Sequence, residues 1–279
     1  MPPKLTFVHL SDSHIGPAQD FAYHQRRPLD DLERVIAAIN AFPSPPDFVI
    51  HTGDIVHDQR AESFAFAAET LAALSVPLYA VCGNHDTPAL VRQHLAAPAL
   101  SGFEGNAAAN PGRNPVQGTP DLNTRLDYAF EVKGERFLVL DSNSPAVPDP
   151  QGQLCVEQIA ALRTETESDG PPLTVLIHHP PFRMASPWLD QHMIITNGDE
   201  LHAALLPARD RLRGVFFGHL HRSCQIVRDG ITYTGGASTT WQYAWQPWDD
   251  LPQVDAQYPP GFNLVHYLPG QVVALHYTL

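Results

Sequence analysis

Short apolar runs alternate with segments of helical period along the first third of the chain. LTFVHL (Leu5–Leu10) is dense in β-formers and stops at the polar SDSH, which predicts a buried strand. In PLDDLERVIAAINAF, Leu29, Leu32, Val35, Ile36 and Ile39 recur on one face behind Pro28, a residue suited to a first helical turn. An amphipathic helix is expected there. DFVIH (47–51) predicts a second strand, the alanine-rich AESFAFAAETLAALS a second helix, and PLYAVC (77–82) a third strand. This β-α-β-α-β rhythm predicts layered sheet and helix.

Residues 98–124 break the rhythm. They are rich in Gly, Pro and Asn without a period, which predicts a long loop insertion. Beyond it, YAFEV and RFLVLDS read as a hairpin across KGE, LCVEQIAALRTE as a helix, and LTVLIHHPP (173–181) and GVFFGHLH as strands. The tail segments ITYTGG, FNLVHYL and VVALHYT read as strands of a second sheet. No repeat or linker divides the chain, so one domain over 1–279 is expected, with an aromatic-rich segment near 239–260.

Composition narrows the function. The net charge of -13 argues against a grip on extended nucleic acid, which depends on Lys and Arg. A small anionic substrate stays open if bound cations offset the charge locally. Three cysteines do not make a disulfide framework and suit a reducing compartment; Cys82 reads as a small buried residue. No signal peptide or membrane span is read, so a cytoplasmic protein without a membrane partner is expected. Of fifteen histidines, most read as surface or helix residues, His24, His94 and His202 among them.

The remaining histidines fall in a pattern. Apolar strands end abruptly in LSDSH, HTGDIV, CGNHD, LIHHPP and FFGHLH. Taken alone, the first three endings read as caps, turns or ordinary loop, His178-His179-Pro180-Pro181 reads evenly either way, and Gly218-His219-Leu220-His221 leans toward a site. Ligand-type residues at the carboxyl ends of strands in an open α/β sheet face one crevice, so five endings can converge. In extended backbone, residues i and i+2 point the same way, so His219 and His221 can face it together with Leu220 turned away. The same alternation would turn His179 from the direction of His178.

Five blocks, Asp12-Ser13-His14, Gly53-Asp54, Gly83-Asn84-His85-Asp86, His178-His179-Pro180-Pro181 and Gly218-His219-Leu220-His221, resemble the motifs of the calcineurin-like metallophosphoesterases, in that family's order. The likeness spans about residues 5–225. HHPP, WLDQHMIITNGDEL and GGASTTWQY are most similar to the class III cyclic-nucleotide phosphodiesterase and glycerophosphodiesterase branch. The resemblance implies a metallo-dependent phosphatase fold: α/β, a four-layer α/β/β/α sandwich of two mixed β-sheets flanked by helices. It implies one metal ion held by Asp12, His14, Asp54 and His221. A second would be held by Asp54, Asn84, His178 and His219, with Asp54 bridging. Such a donor set suits Fe, Mn, Zn or Co.

The implied reaction is hydrolysis of a small phosphodiester, a 3',5'-cyclic nucleotide such as cyclic AMP or a glycerophosphodiester. Hydroxide held between the metals attacks phosphorus in line. His85 stands near the leaving group, and Asp86 either orients it or caps the helix TPALVRQHL. Alternatives on the same residues are a phosphomonoesterase or a nuclease, and more remotely a non-catalytic interaction protein. Trp241, Tyr243, Trp245 and Trp248 either pack on the second sheet or a subunit contact, or wall the substrate pocket. The family is often oligomeric, so a homo-oligomer is the expectation.

Overall fold

A computed structural model of the chain describes residues 2–99 and 125–279. Its first elements are β1 (Leu5–Leu10), α1 (Pro28–Asn40), β2 (Phe48–His51), α2 (Ala61–Leu71), β3 (Leu78–Ala80) and α3 (Pro88–Ala99). Next come β4 (Tyr128–Val132), β5 (Glu135–Val139), α4 (Val156–Glu167), β6 (Leu173–Leu176), α5 (Pro187–His192), α6 (Gly198–Leu205) and β7 (Leu212–Phe217). β8 (Cys224–Arg228), β9 (Ile231–Gly235), the short pair β10 (Tyr243–Ala244) and β11 (Gln253–Val254), β12 (Gly261–Leu268) and β13 (Gln271–Thr278) complete the order.

Two mixed sheets stack. One runs β13-β12-β1-β2-β3, the other β4-β5-β6-β7-β9-β8. Their interface is largely aromatic. Phe7 of β1 stacks on Phe48 of β2 at 5.3 Å and meets Phe137 of β5 and Phe216 of β7 edge-on at 5.9 and 5.3 Å. Such pairs add roughly 0.5–1.5 kcal/mol each beyond burial. Leu32, Val35, Ile36 and Ile39 of α1 join the first core, as their spacing predicts. Ile159 and Leu162 of α4 and Leu201 of α6 pack in a second core with Val175 and Val215. The four-layer arrangement follows.

The central strands of each sheet are parallel, β1 with β2 and β3, and β5 with β6 and β7. Their carboxyl ends therefore lie on one edge of the sandwich, where the site forms. The β4–β5 hairpin turns through Lys133 and Gly134, both with positive φ, as a two-residue turn requires.

Two expectations need correction. The tail does not form one sheet: β9 joins the second, whereas β12 and β13 return to the first, β12 pairing antiparallel with β1 at Leu5↔Tyr267. That pairing spans the whole chain, and no local pattern specifies it. The strands expected over 173–181 and through His221 stop at Leu176 and Phe217, so the histidine motifs lie beyond the ladders. His202 lies in a helix, as its reading as a surface or helix residue allows, and is buried there, bonded to the Tyr233 hydroxyl and Asp229. In the expected 98–124 loop, residues 98 and 99 end α3, and residues 100–124 lie outside the described residues. Among the described residues, no helix is long and apolar enough to cross a membrane.

Candidate metal centre

Backbone strain marks the strand exits. Asp12, His14, Asp54, His219 and His221 all have φ between 47° and 69°, a left-handed conformation that non-glycine residues rarely adopt. Strain of this kind persists where surrounding structure over-determines it, typically at functional sites. The exits of β1 and β2 hold each other: Asp12 and His14 N–H donate to the carbonyls of Gly53 and Asp54, both at 3.0 Å. His219 and His221 do face one point, but through left-handed turns rather than strand alternation. Leu220 between them is buried in the second core.

Hydrogen bonds to carbonyls settle two imidazole tautomers, since a carbonyl only accepts. His178 Nδ1 donates to the Thr52 carbonyl at 2.8 Å, so Nε2 is the ring atom turned to the cluster, with a lone pair whenever the ring is neutral. That Nε2 lies 3.0 Å from His219 Nδ1, 3.3 Å from Asn84 Oδ1 and 3.4 Å from Asp54 Oδ2. His221 Nδ1 donates to the Trp241 carbonyl at 3.0 Å. Its bare Nε2 lies 2.9 Å from His14 Nε2 and 3.6 Å from Asp12 Oδ1. His14 Nε2 in turn stands 3.6 Å from Asp54 Oδ2. Asn84 donates from Nδ2 to Asp149 at 3.1 Å, which turns its oxygen toward the cluster. The other oxygen of Asp54 accepts the His85 N–H at 2.9 Å, leaving Oδ2 as the atom common to both groups.

Lone pairs facing lone pairs repel unless a cation lies between them. Burial pushes His221 down to about 3 and His14 and His219 well below the usual imidazole range, which keeps them neutral. Burial also pushes Asp12 up to about 7, the mark of a carboxylate short of positive charge. The side chains can supply a proton: burial disfavours it on His178, but Asp54 overrides this and raises the imidazole to about 9. A metal cation displaces such a proton. Asp12, His14, Asp54 and His221 bring their ligand atoms within 4.8 Å of one another. The residues thus fit two adjacent metal positions. His179 does not turn away from His178 as strand alternation would have it: beyond the ladder, with Nδ1 on Ser142 Oγ at 2.8 Å, its buried Nε2 is unpartnered among the described residues and its ligand atom lies within 4.8 Å of those of His178 and His219.

Glycine permits the crowding. A Cβ on Gly83 would stand 2.1 Å from Asp54 Oδ1, and one on Gly218 1.9 Å from Ser11 Oγ. Asp86 neither caps α3 nor touches the His85 ring. Its carboxylate accepts N–H bonds from Ile55, Val56 and Gly83 and so clamps two site loops together. The His85 ring is oriented by the His57 carbonyl, 2.7 Å from Nδ1. Thr52, His57, Asp149 and the Trp241 carbonyl went unread in the sequence, because backbone acceptors and loop contacts leave no residue-type signal.

A cavity of about 330 Å³ opens beside the cluster, lined by His14, Asp54, Asn84, His85, His219 and His221. Its outer wall includes Trp188, Tyr243 and Asp250. Among the described residues, no Lys or Arg lines it. The aromatic tail residues take different places. Trp241 is buried against His14 and His221, Tyr243 lines the cavity, Trp245 packs on the second core, and Trp248 is exposed.

The chain is 23% identical to the 3',5'-cyclic adenosine monophosphate phosphodiesterase CpdA of Vibrio vulnificus, covering 96% of this chain and 88% of that protein. It is 26% identical to the probable glycerophosphodiester phosphodiesterase GpdQ of Arcobacter nitrofigilis, covering 96% and 91%. Its fold is similar to that of a dimetal phosphatase from Danio rerio (TM-score 0.60, 15% identity, 99% and 100% covered). A purple acid phosphatase from yellow lupin seeds is also similar (TM-score 0.62, 14% identity, 98% and 51% covered). A family model described as calcineurin-like phosphoesterase matches residues 5–223, from the first strand past the last histidine of the cluster, and the chain belongs to that family.

Proposed function

We propose that the protein is a metal-dependent phosphodiesterase acting on small diesters, with two ions in the cluster. One would be held by Asp12, His14, Asp54 and His221, the other by Asp54, Asn84, His178 and His219. The observation that carries this is the approach of the His14 and His178 imidazoles to Asp54 Oδ2, with Asn84 Oδ1 and His219 Nδ1 gathered on His178 Nε2. Ions bound there supply Lewis acidity toward phosphoryl oxygens and lower the pKa of water.

The chain's own groups do the rest. Asp54 would serve both positions, its Oδ2 standing near His14 and His178 while its other oxygen is anchored by the His85 N–H. His57 holds His85 by Nδ1, which leaves Nε2 as the free polar atom of a ring lining the cavity. From there a protonated His85 donates to the departing alkoxide, a poor leaving group that needs a proton or a hydrogen bond. Trp188 and Tyr243 offer apolar wall for the ester's organic groups. Among the described residues no Lys or Arg lines the cavity, so the second charge of a phosphomonoester meets no permanently charged side chain there, which favours the singly charged diester. Cyclic nucleotides and glycerophosphodiesters both meet that description.

The test is a metal analysis of purified protein with parallel assays of bis-p-nitrophenyl phosphate, p-nitrophenyl phosphate, cyclic AMP and a glycerophosphodiester. Diester hydrolysis should exceed monoester hydrolysis, vanish on chelation and return with Mn(II). Faster monoester hydrolysis would overturn the diesterase reading.

A further inference from the structure

The two halves of the metal centre are backed differently. The segment 238–243 closes over the half made by Asp12, His14 and His221. Ser238 Oγ donates to the Asp12 carbonyl at 2.7 Å, and Thr239 N–H to the Ser11 carbonyl at 3.1 Å. The Trp241 carbonyl accepts a hydrogen bond from His221 Nδ1. The Trp241 indole lies tilted by 34° against both rings, 4.7 Å from His14 and 5.1 Å from His221. Tyr23 and His24 pack on the same indole at 5.1 and 5.4 Å, and only 3% of Trp241 is exposed. Thr240 Oγ1 donates to Asp31 at 3.0 Å, tying the segment to α1. Among the described residues, the hydrogen bonds and ring contacts of 238–243 do not reach Asn84, His178 or His219.

We infer that Trp241 is a positioning residue for one of the two ions: its indole and carbonyl fix the ring planes of His14 and His221, and the other ion does not depend on it. This rests on the two-ion reading above. An imidazole whose plane is free to turn presents its lone pair to the ion only part of the time. Outer partners that hold a ligand ring typically matter by roughly 10–100-fold in metal affinity.

Calorimetric Mn(II) titration and elemental analysis of the wild-type chain come first. A wild type that binds no ions overturns the proposed function itself, before any variant is made. Trp241→Leu is then placed in two backgrounds, His178→Ala, which leaves the half that Trp241 touches, and His221→Ala, which leaves the other. The expected result is roughly 10–100-fold weaker Mn(II) binding in the first background and no further change in the second. Trp241→Phe, which keeps a ring, should stay within about threefold of wild type. Co(II) titration should quench indole emission in the wild type and lose most of that quenching in Trp241→Phe. Circular dichroism of the metal-free forms checks folding. If Trp241→Leu does not fold, Ser238→Ala replaces it, with weakening of several-fold expected in the His178→Ala background alone. Equal weakening in both backgrounds, or none in either, overturns the inference.

Discussion

The two ends of the sandwich treat buried carboxylates in opposite ways. At the amino ends of the strands, Glu135 of β5 is buried and paired with Lys4, just before β1, at 2.9 Å and with Arg213 of β7 at 2.8 Å. Those partners come from both sheets, so the ion pairs tie the layers together. At the carboxyl ends, Asp12 and Asp54 are just as buried, and among the described residues their ion-pair partners are histidines only. A buried carboxylate without a cation is costly. One end carries its cations in the chain; the other leaves room for cations from solution. The cluster is the place where, among the described residues, buried carboxylates face imidazoles in place of Lys and Arg.

Asp54→Ala is the most severe way to break that contrast. It removes the atom common to both clusters, so both ions and more than about 10³-fold of kcat should be lost, read by metal analysis and bis-p-nitrophenyl phosphate turnover. Full activity in metal-free buffer would sink the metal-centre reading. His85→Ala leaves the ligands in place, so kcat should fall by roughly 10²–10⁴-fold with ion content unchanged. His221→Ala and His219→Ala should each weaken a different ion by about 10²-fold or more; equal metal content and rate in both variants would contradict the split. Asp149→Ala frees the Asn84 amide and should weaken only the ion of Asn84 and His178, by about tenfold.

The opposite end gives the smallest effect. Burial raises the Glu135 carboxyl, but hydrogen bonds from Arg213 and Lys4 outweigh it, and the folded pKa lies below the usual carboxylate value. A lowered carboxylate pKa stabilises the fold above the unfolded value and loses that contribution as pH falls through the folded one. Glu135→Gln should therefore cost about 1–3 kcal/mol near neutral pH. The gap in Tm from wild type should narrow below about pH 4. A gap that does not change with pH would mean the carboxylate's charge is not what ties the sheets there.

The parts legible in the sequence were those with a local period or a motif. The face of α1, the β1–β3 strands and the five histidine- and aspartate-bearing strand exits could be read because each is written in consecutive residues. The placement of β12 beside β1 could not, because it pairs Leu5 with Tyr267 across the whole chain. The geometry of His219 and His221 was read from the wrong backbone. A strand's alternation and two left-handed turns both bring i and i+2 together here, but only coordinates separate them. Asp86 was likewise assigned to a cap or to His85, when its partners are three N–H groups from two loops.

By itself, the sequence determined which groups could bind metal, because residue type decides which atoms carry lone pairs, and it determined the layered class through hydrophobic period. Only the tertiary structure decided that those lone pairs meet. It chose the tautomers of His178 and His221 through the carbonyls of Thr52 and Trp241. It also set Trp241 against one half of the centre and, among the described residues, gave the buried carboxylates of that centre histidines as their only ion-pair partners. The physical reason is that backbone acceptors, ring planes and charge balance are properties of neighbours in space, and the neighbours that matter here lie as much as 226 positions apart along the chain.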